Sequence, residues 1–399
     1  MRRLFAGTAL VLAACAPPPK PAPPPISEFP EPSALPERAE LPPLFTSFTS
    51  DDVADDAAAF TRWRRDQLLA LFARYQYGTT PPRVTVTAQR TASYDDLVPG
   101  ARFEEYTLTL GDAELHLALV RPNGGARPPV VLGLNKCGNQ SLVTDARVRL
   151  TTSFVIPACG TSAETTRGVQ QGLWPLEAIV ARGYALATFH ESDAAPDSPE
   201  HFAEGLRSRF RPEGPPRAAW GTVALWAWAL AHVATWLDGQ PDLDSGRLFV
   251  FGHSRRGKAA LLAGTLSAEL DGVVAHQSGT AGAALHRSLE GESLELITLA
   301  FPHWFNDVFP GFSRAELKTP VDQHQLLALW APRRVVLVDG DDDAWADPQG
   351  AKAAAQAASP AWELFGEPGF GARLTWQSRP GAHSVESADW ALFLDALER

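Results

Sequence analysis

Arg247-Leu248-Phe249-Val250-Phe251-Gly252-His253-Ser254-Arg255-Arg256-Gly257-Lys258 is the stretch that decides the fold. Arg247 to Phe251 reads as a strand, and Lys258 to Leu266, rich in alanine and leucine, as a helix. Ser254 lies between them with glycine two positions before it. A serine hydroxyl is a poor nucleophile near neutral pH, so it needs a base, an acid behind the base and donors for the oxyanion. One known solution puts the serine on a strained turn between strand and helix, flanked by small residues. The usual glycine two positions after the serine is Arg256 here, and glycine comes one position later, as Gly257. The motif alone therefore also fits a serine in an ordinary strand–helix turn.

Working outward, Pro129 to Leu134 and Tyr184 to Phe189 are continuous apolar runs, as expected of strands buried on both faces. Val273 to His276, Arg334 to Val338 and Leu374 to Ser378 continue the series. Leu176 to Arg182, Gly221 to Leu237 and Ala388 to Leu397 read as helices between or after them. Earlier in the chain, Phe60 to Tyr77 has helical spacing, closed by Gly78 and Pro81-Pro82. Arg83 to Ala88, Phe103 to Leu110 and Glu114 to Arg121 alternate, which predicts an antiparallel sheet edge. Trp220, Trp226, Trp228 and Trp236 sit at helical spacing and are assigned to the core.

This alternation predicts a three-layer α/β sandwich with a mostly parallel central sheet and an antiparallel N-terminal edge. In an α/β-hydrolase the catalytic order is serine, acid, histidine. The loop after Arg334 to Val338 reads Asp339-Gly340-Asp341-Asp342-Asp343-Ala344-Trp345, and the loop after the last strand reads Gly381-Ala382-His383-Ser384. His383 thus stands where the base belongs, and the aspartate loop supplies the acid. Four carboxylates in one loop also suit a divalent cation, but no other ligand cluster accompanies them. His276, His303 and His324 are assigned to core or supporting roles, since none follows the last strand.

The N-terminus reads as an export signal. Arg2 and Arg3 precede a short apolar run, Leu4 to Leu12, too short to span a membrane. Leu12-Ala13-Ala14-Cys15 has the form of a bacterial lipoprotein cleavage box, with Cys15 as lipidation site. Residues 16–45 are proline-rich and read as a semi-rigid spacer. Residues 46–399 read as one catalytic domain. Cys137 and Cys159 either pair in an oxidising compartment or stay as buried thiols. The net charge of −11, without basic runs, argues against nucleic acid. Membrane contact is expected only through the lipid, and the body is expected to be a monomer.

Ser254-Arg255-Arg256-Gly257-Lys258 resembles the Ser-Arg-x-Gly-Lys signature of the glucuronoyl esterases, carbohydrate esterase family fifteen. Bacterial members are resembled further in Trp220-Gly221-Thr222, Ser278-Gly279-x-x-Gly282-Ala283-Ala284, Phe301-Pro302-His303-Trp304-Phe305, Pro320-Val321-Asp322-Gln323-His324 and Trp345-Ala346-Asp347-Pro348. The likeness runs from about Phe60 to the C-terminus. It implies an exported serine esterase, with neither metal nor cofactor, acting on the ester between lignin alcohols and the glucuronic acid branches of xylan. It implies that Arg255 stabilises the oxyanion and that Lys258, Trp345 and Glu292 position the uronate. Some members carry their acid as a glutamate where this chain has Gln277, which cannot stabilise an imidazolium as a carboxylate would. Others use an aspartate matching Asp343, so Asp343 is the expected acid, with Asp342 next in line. An esterase for another sugar ester, or a glycan-binding lipoprotein without catalysis, are the rival readings.

Overall fold

The computed structural model describes residues 28–210 and 219–398. The export signal, Cys15 and the first part of the proline-rich stretch lie outside the described residues. Nine strands form one sheet: β1 Val86–Tyr94, β2 Ala101–Leu110, β3 Ala113–Pro122, β4 Val130–Asn135, β5 Ala185–His190, β6 Leu248–His253, β7 Gly272–His276, β8 Arg334–Gly340 and β9 Leu374–Arg379. Their order across the sheet is β1-β2-β3-β5-β4-β6-β7-β8-β9. β1, β2 and β3 are antiparallel, β3 runs antiparallel to β5, and every pairing from β5 to β9 is parallel. This is the α/β-hydrolase architecture. From β4 the chain steps one way to β5 and then returns past β4 to β6, so the strand order reverses there. Open α/β sheets bind ligands beyond the carboxyl ends of their strands at such a switch point. Ser254 follows β6 at that place.

Alternating side chains divide the core into two. Val130, Leu132, Val250, Val273 and Leu337 face the helices Thr222–Asp238 and Arg255–Leu266. Val131, Leu186, Phe251, Val274 and Val336 face the helices Leu176–Ala181 and Ser387–Glu398. The helix Thr222–Asp238 is buried nearly throughout; Trp226 and Trp228 are core residues with satisfied indoles, while Trp236 is half-buried against the core. The Trp226 Nε1–H donates to the carbonyl of Ala195 at 2.8 Å, and that of Trp228 to Pro81 at 2.9 Å.

Two expectations change. The first strand is Val86–Tyr94 rather than 83–88. Most of its residues face solvent on both sides, so no apolar alternation marks it, and pairing with β2 around a bulge between Arg90 and Ala92 defines it. The spacer reading is corrected for residues 28–45. Phe29 and Leu35 are buried in the main core. Arg74 binds Glu31 at 2.7 Å, and buried Arg64 donates to the carbonyls of Pro43 at 2.7 Å and Leu44 at 3.0 Å. Two apolar anchors and these carbonyl contacts make this part a belt on the domain. Cys137 and Cys159 are bonded to each other.

Candidate active site

β6 ends at His253, and the helix Arg255–Leu266 begins at once. Ser254, between them, has φ 57° and ψ −128°, a conformation that side-chain-bearing residues adopt only under constraint. The turn is tight enough that a Cβ on Gly252 would run into the carbonyl of Arg256. A Cβ on Gly257 would lie 2.9 Å from Cβ of Ser278 and 3.0 Å from the carbonyl oxygen of Gly252. The close approach therefore falls at 257, which accounts for the displaced glycine. Position 256 is free to carry a side chain, and Arg256 forms a two-pronged pair with the wholly buried Glu191, at 2.5 and 2.7 Å. Burial pushes the Glu191 carboxyl up, and Arg256 opposes that shift.

Asp343 and His383 meet across the ends of β8 and β9. Nδ1 of His383 lies 2.6 Å from Oδ2 of Asp343. The Asp343 side chain is 2% exposed and also accepts the Ala346 N–H at 3.3 Å. His383 opens on the same cleft as Ser254. Asp342 is exposed and ties the loop only through its N–H to the Gly381 carbonyl, at 3.1 Å, so Asp343 holds the histidine. The other carboxylates of the loop diverge. Asp341 faces solvent, and Asp339 lies buried under Trp376, whose Nε1–H it accepts at 2.8 Å. Burial, with the charges of Asp343 and Asp347 adding to it, pushes Asp339 up to about 8.

Gln277 has a role that sequence reading missed. Its side-chain amide donates to the Ala382 carbonyl at 2.9 Å and accepts the Ser384 N–H at 3.1 Å, so it brackets His383 by the peptides on either side. A carboxylate there could accept but not donate. His253 lies between His276 and His383, its ring tilted to both, with ring centres 5.0 and 4.7 Å away. Burial above all holds His253 well below the usual histidine range and His276 down to about 3, so both stay neutral. His324 binds the Pro42 carbonyl at 3.0 Å, and His303 binds Asp197 at 3.1 Å. Among the described contacts, none of His276, His303 and His324 reaches Asp343, which holds His383.

Arg255, Lys258, Glu292 and Trp345 all line the cleft with Ser254 and His383, a space of about 340 Å³. Lys258 is buried, and its ammonium donates to the carbonyls of Ser278 at 2.7 Å and Thr280 at 2.5 Å. Burial lowers it to about 8, partly offset by Glu292. The Glu292 carboxyl is raised by burial and opposed by the Lys258 charge. Trp345 is 54% exposed, a flat apolar face at the rim. Arg255 binds the carboxylate of Asp197 at 2.5 Å and lies 4.6 and 4.5 Å from the ring centres of Phe301 and Trp304. Asp197, Phe301 and Trp304 were not foreseen as site residues. The Phe301-Pro302-His303-Trp304-Phe305 likeness was the one available signal for the aromatic pair.

A larger space of about 540 Å³ lies between residues 35–51 and the body, apart from Ser254. Its buried cations Arg64 and Arg287 are spent on fixed partners such as Gln67 and Asp322, so size does not mark the reactive site.

Comparisons with known proteins give the chain's family. A family model described as glucuronyl esterase, fungi, matches residues 145–366. Carbohydrate esterase MZ0003, from an unknown prokaryotic organism, is 32% identical over 359 residues, 83% of this chain and 83% of that protein. A 4-O-methyl-glucuronoyl methylesterase of Hypocrea jecorina is 25% identical over 350 residues, 85% of this chain and 65% of the relative. Among solved structures, a promiscuous esterase of carbohydrate esterase family fifteen from a marine bacterial metagenome superposes with a TM-score of 0.84 at 30% identity, covering 92% of this chain and 98% of the other. A glucuronoyl esterase from Solibacter usitatus gives 0.82 at 31% identity, with 92% and 98% covered.

Proposed function

This chain belongs to the glucuronoyl esterase family of carboxylic ester hydrolases, and from that premise we propose that it hydrolyses esters of (4-O-methyl-)glucuronic acid on xylan, as in lignin–carbohydrate linkages. The observation that carries the reading is the 2.6 Å Asp343–His383 pair opening on the cleft that holds Ser254. Ser254 Oγ attacks the ester carbonyl while Nε2 of His383 takes its proton. Asp343 holds Nδ1–H, fixing the tautomer and stabilising the imidazolium. The oxyanion that forms faces Arg255 and backbone N–H groups, including that of Arg255 as the residue after the nucleophile. His383 then returns its proton to the departing alcohol, leaving an acyl-enzyme on Ser254. Water, activated by His383, attacks the acyl carbon and releases the uronate and Ser254. The steps need no cofactor.

Lys258, Glu292 and Trp345 position the sugar. The ammonium has one proton beyond those given to Ser278 and Thr280, Glu292 accepts hydroxyl protons, and Trp345 offers an apolar face. A buried acid on His383 supports catalysis over bare glycan binding. Benzyl glucuronate and acetylated sugars, assayed side by side with Ser254→Ala as control, test the substrate. Hydrolysis of the glucuronate ester that is lost in Ser254→Ala is expected; cleavage of acetyl esters alone would overturn the proposal.

The same reading includes export, with lipid on Cys15 as the anchor, and a monomeric body. Leu12-Ala13-Ala14-Cys15 and the Cys137–Cys159 bond, which suits an oxidising compartment, support it. Among the described residues no helix is long and apolar enough to cross a membrane. Mass spectrometry of the mature N-terminus checks it, and an unmodified Cys15 still preceded by residues 1–14 would refute it.

A further inference from the structure

We infer that Asp197 is a positioning residue for the reaction, fixing the guanidinium of Arg255 in the cleft and thereby setting the oxyanion pocket. The inference rests on the reading that Arg255 faces the oxyanion. Arg255 is a long side chain, 29% exposed, at the first position of its helix, and a free arginine there would spread over many rotamers. One nitrogen of its fork, Nη1, is held by Oδ2 of Asp197 at 2.5 Å. The planar fork then fixes the direction of the remaining N–H groups before any substrate arrives. Preorganised donors stabilise developing charge without reorganising at the moment of reaction.

Asp197 is itself anchored independently of Arg255. Its Oδ1 accepts the Trp304 Nε1–H at 2.7 Å and pairs with His303 Nε2 at 3.1 Å, and its side chain is 2% exposed. Burial alone would raise its carboxyl. The His303 bond, the Arg255 charge and the Trp304 bond outweigh burial and hold it well below the usual carboxylate range. It therefore stays ionised wherever the enzyme works. Trp304 and Phe301 pack against the same guanidinium, so the carboxylate and the aromatic pair both restrain it. Asp197 does not line the cleft, so its effect on the reaction passes through the cleft residues it holds, Arg255 and Trp304, of which Arg255 faces the oxyanion.

The test is a double-mutant cycle on the full chain with benzyl glucuronate. Asp197→Asn keeps the volume and removes the charge. It is expected to lower kcat by roughly 10- to 100-fold, less than loss of a whole oxyanion donor, with KM nearly unchanged. In an Arg255→Ala background the same change should lower kcat by less than about 2-fold, because coupled groups are not additive. A merely structural aspartate would lower activity equally in both backgrounds, and that result overturns the inference, as does full activity of Asp197→Asn. Arg255→Ala with parental activity would instead refute the oxyanion reading beneath it. Should Asp197→Asn not fold, Trp304→Phe keeps a ring against Arg255 and deletes one bond to Asp197. Its loss of kcat should likewise vanish in Arg255→Ala, and equal loss in both backgrounds overturns the inference.

Discussion

Raising the pH past 8 should weaken substrate binding through Lys258. As an ammonium, Lys258 has three protons, and two are committed to the carbonyls of Ser278 and Thr280 at 2.7 and 2.5 Å. The third is free for a sugar hydroxyl. A neutral amine has only two N–H groups, so after deprotonation none remains for the substrate. Burial places that transition at about 8, against 10.5 for a free lysine. The sign is fixed by this order: the binding form exists below the folded value and is lost as pH rises through it. Over the window from about 8 to 10.5 the folded protein holds fewer protons than the unfolded chain, so stability rises with pH and the loss of binding is not unfolding. One charge-assisted hydrogen bond is worth about 1.5–3 kcal/mol, or roughly 10- to 150-fold in KM at the alkaline limit. The bond is made alike in ground and transition states, so kcat should hold while KM climbs. The assay is steady-state hydrolysis of benzyl glucuronate from pH 6.5 to 9.5, with spontaneous hydrolysis subtracted. Lys258→Met should have the high KM at every pH and no inflection near 8. A parental KM that is flat across the range, or an inflection that survives in Lys258→Met, would refute the reasoning.

Asp343→Asn should lower kcat by roughly 10³- to 10⁴-fold, because the amide donates to Nδ1, leaves Nε2 protonated and removes the charge facing the imidazolium; the exposure of His383 to water keeps the loss at or below the upper figure. Asp342→Asn should stay within about 3-fold of the parent, and steady-state rates on benzyl glucuronate decide both. Gln277→Ala should lower kcat by about 10-fold with KM unchanged, since the His383 loop loses both ties, and Gln277→Glu should not restore it because it cannot donate to Ala382; parental rates in either variant would remove the clamp. Cys137→Ser with Cys159→Ser opens a loop whose ends are 22 residues apart and should destabilise the fold by roughly 3 kcal/mol, read as a fall in the urea midpoint.

The parallel half of the sheet was legible because strands buried on both faces are written as unbroken apolar runs, as in Pro129 to Leu134 and Arg334 to Val338. The turn around Ser254 and the order serine, aspartate, histidine were legible because Ser254 and Asp343 each follow such a strand and His383 follows the last strand, Leu374–Arg379. β1 was misplaced because a solvated edge strand need not alternate. The belt at 28–45 was misread because its buried residues are Phe29 and Leu35 with two prolines, Pro32 and Pro42, too little apolar pattern to mark a proline-rich stretch as packed. Asp197 left no trace near Arg255 in sequence, 58 residues away, since nothing local records which carboxylate an arginine will meet. Gln277 was read for the charge it lacks, whereas its function depends on an amide that both donates and accepts.

The cations after Ser254 explain why the remote loops belong to the site. Three positive side chains, Arg255, Arg256 and Lys258, crowd the four positions after Ser254 and would, unpaired, repel one another. Each instead faces a carboxylate brought in from elsewhere in the chain: Arg255 meets Asp197 and Arg256 meets Glu191, both in the segment that follows β5, and the charge of Lys258 is opposed by Glu292 between β7 and β8. These pairings cancel charge at the turn and tie two loops to a serine held at φ 57°. The strained turn and the cleft therefore support each other. The loops that would receive the oxyanion and the uronate are the ones that hold the nucleophile in its conformation. Reversing one pair, as in Arg256→Glu, would place like charges against the buried Glu191 and should disturb the turn itself rather than one subsite.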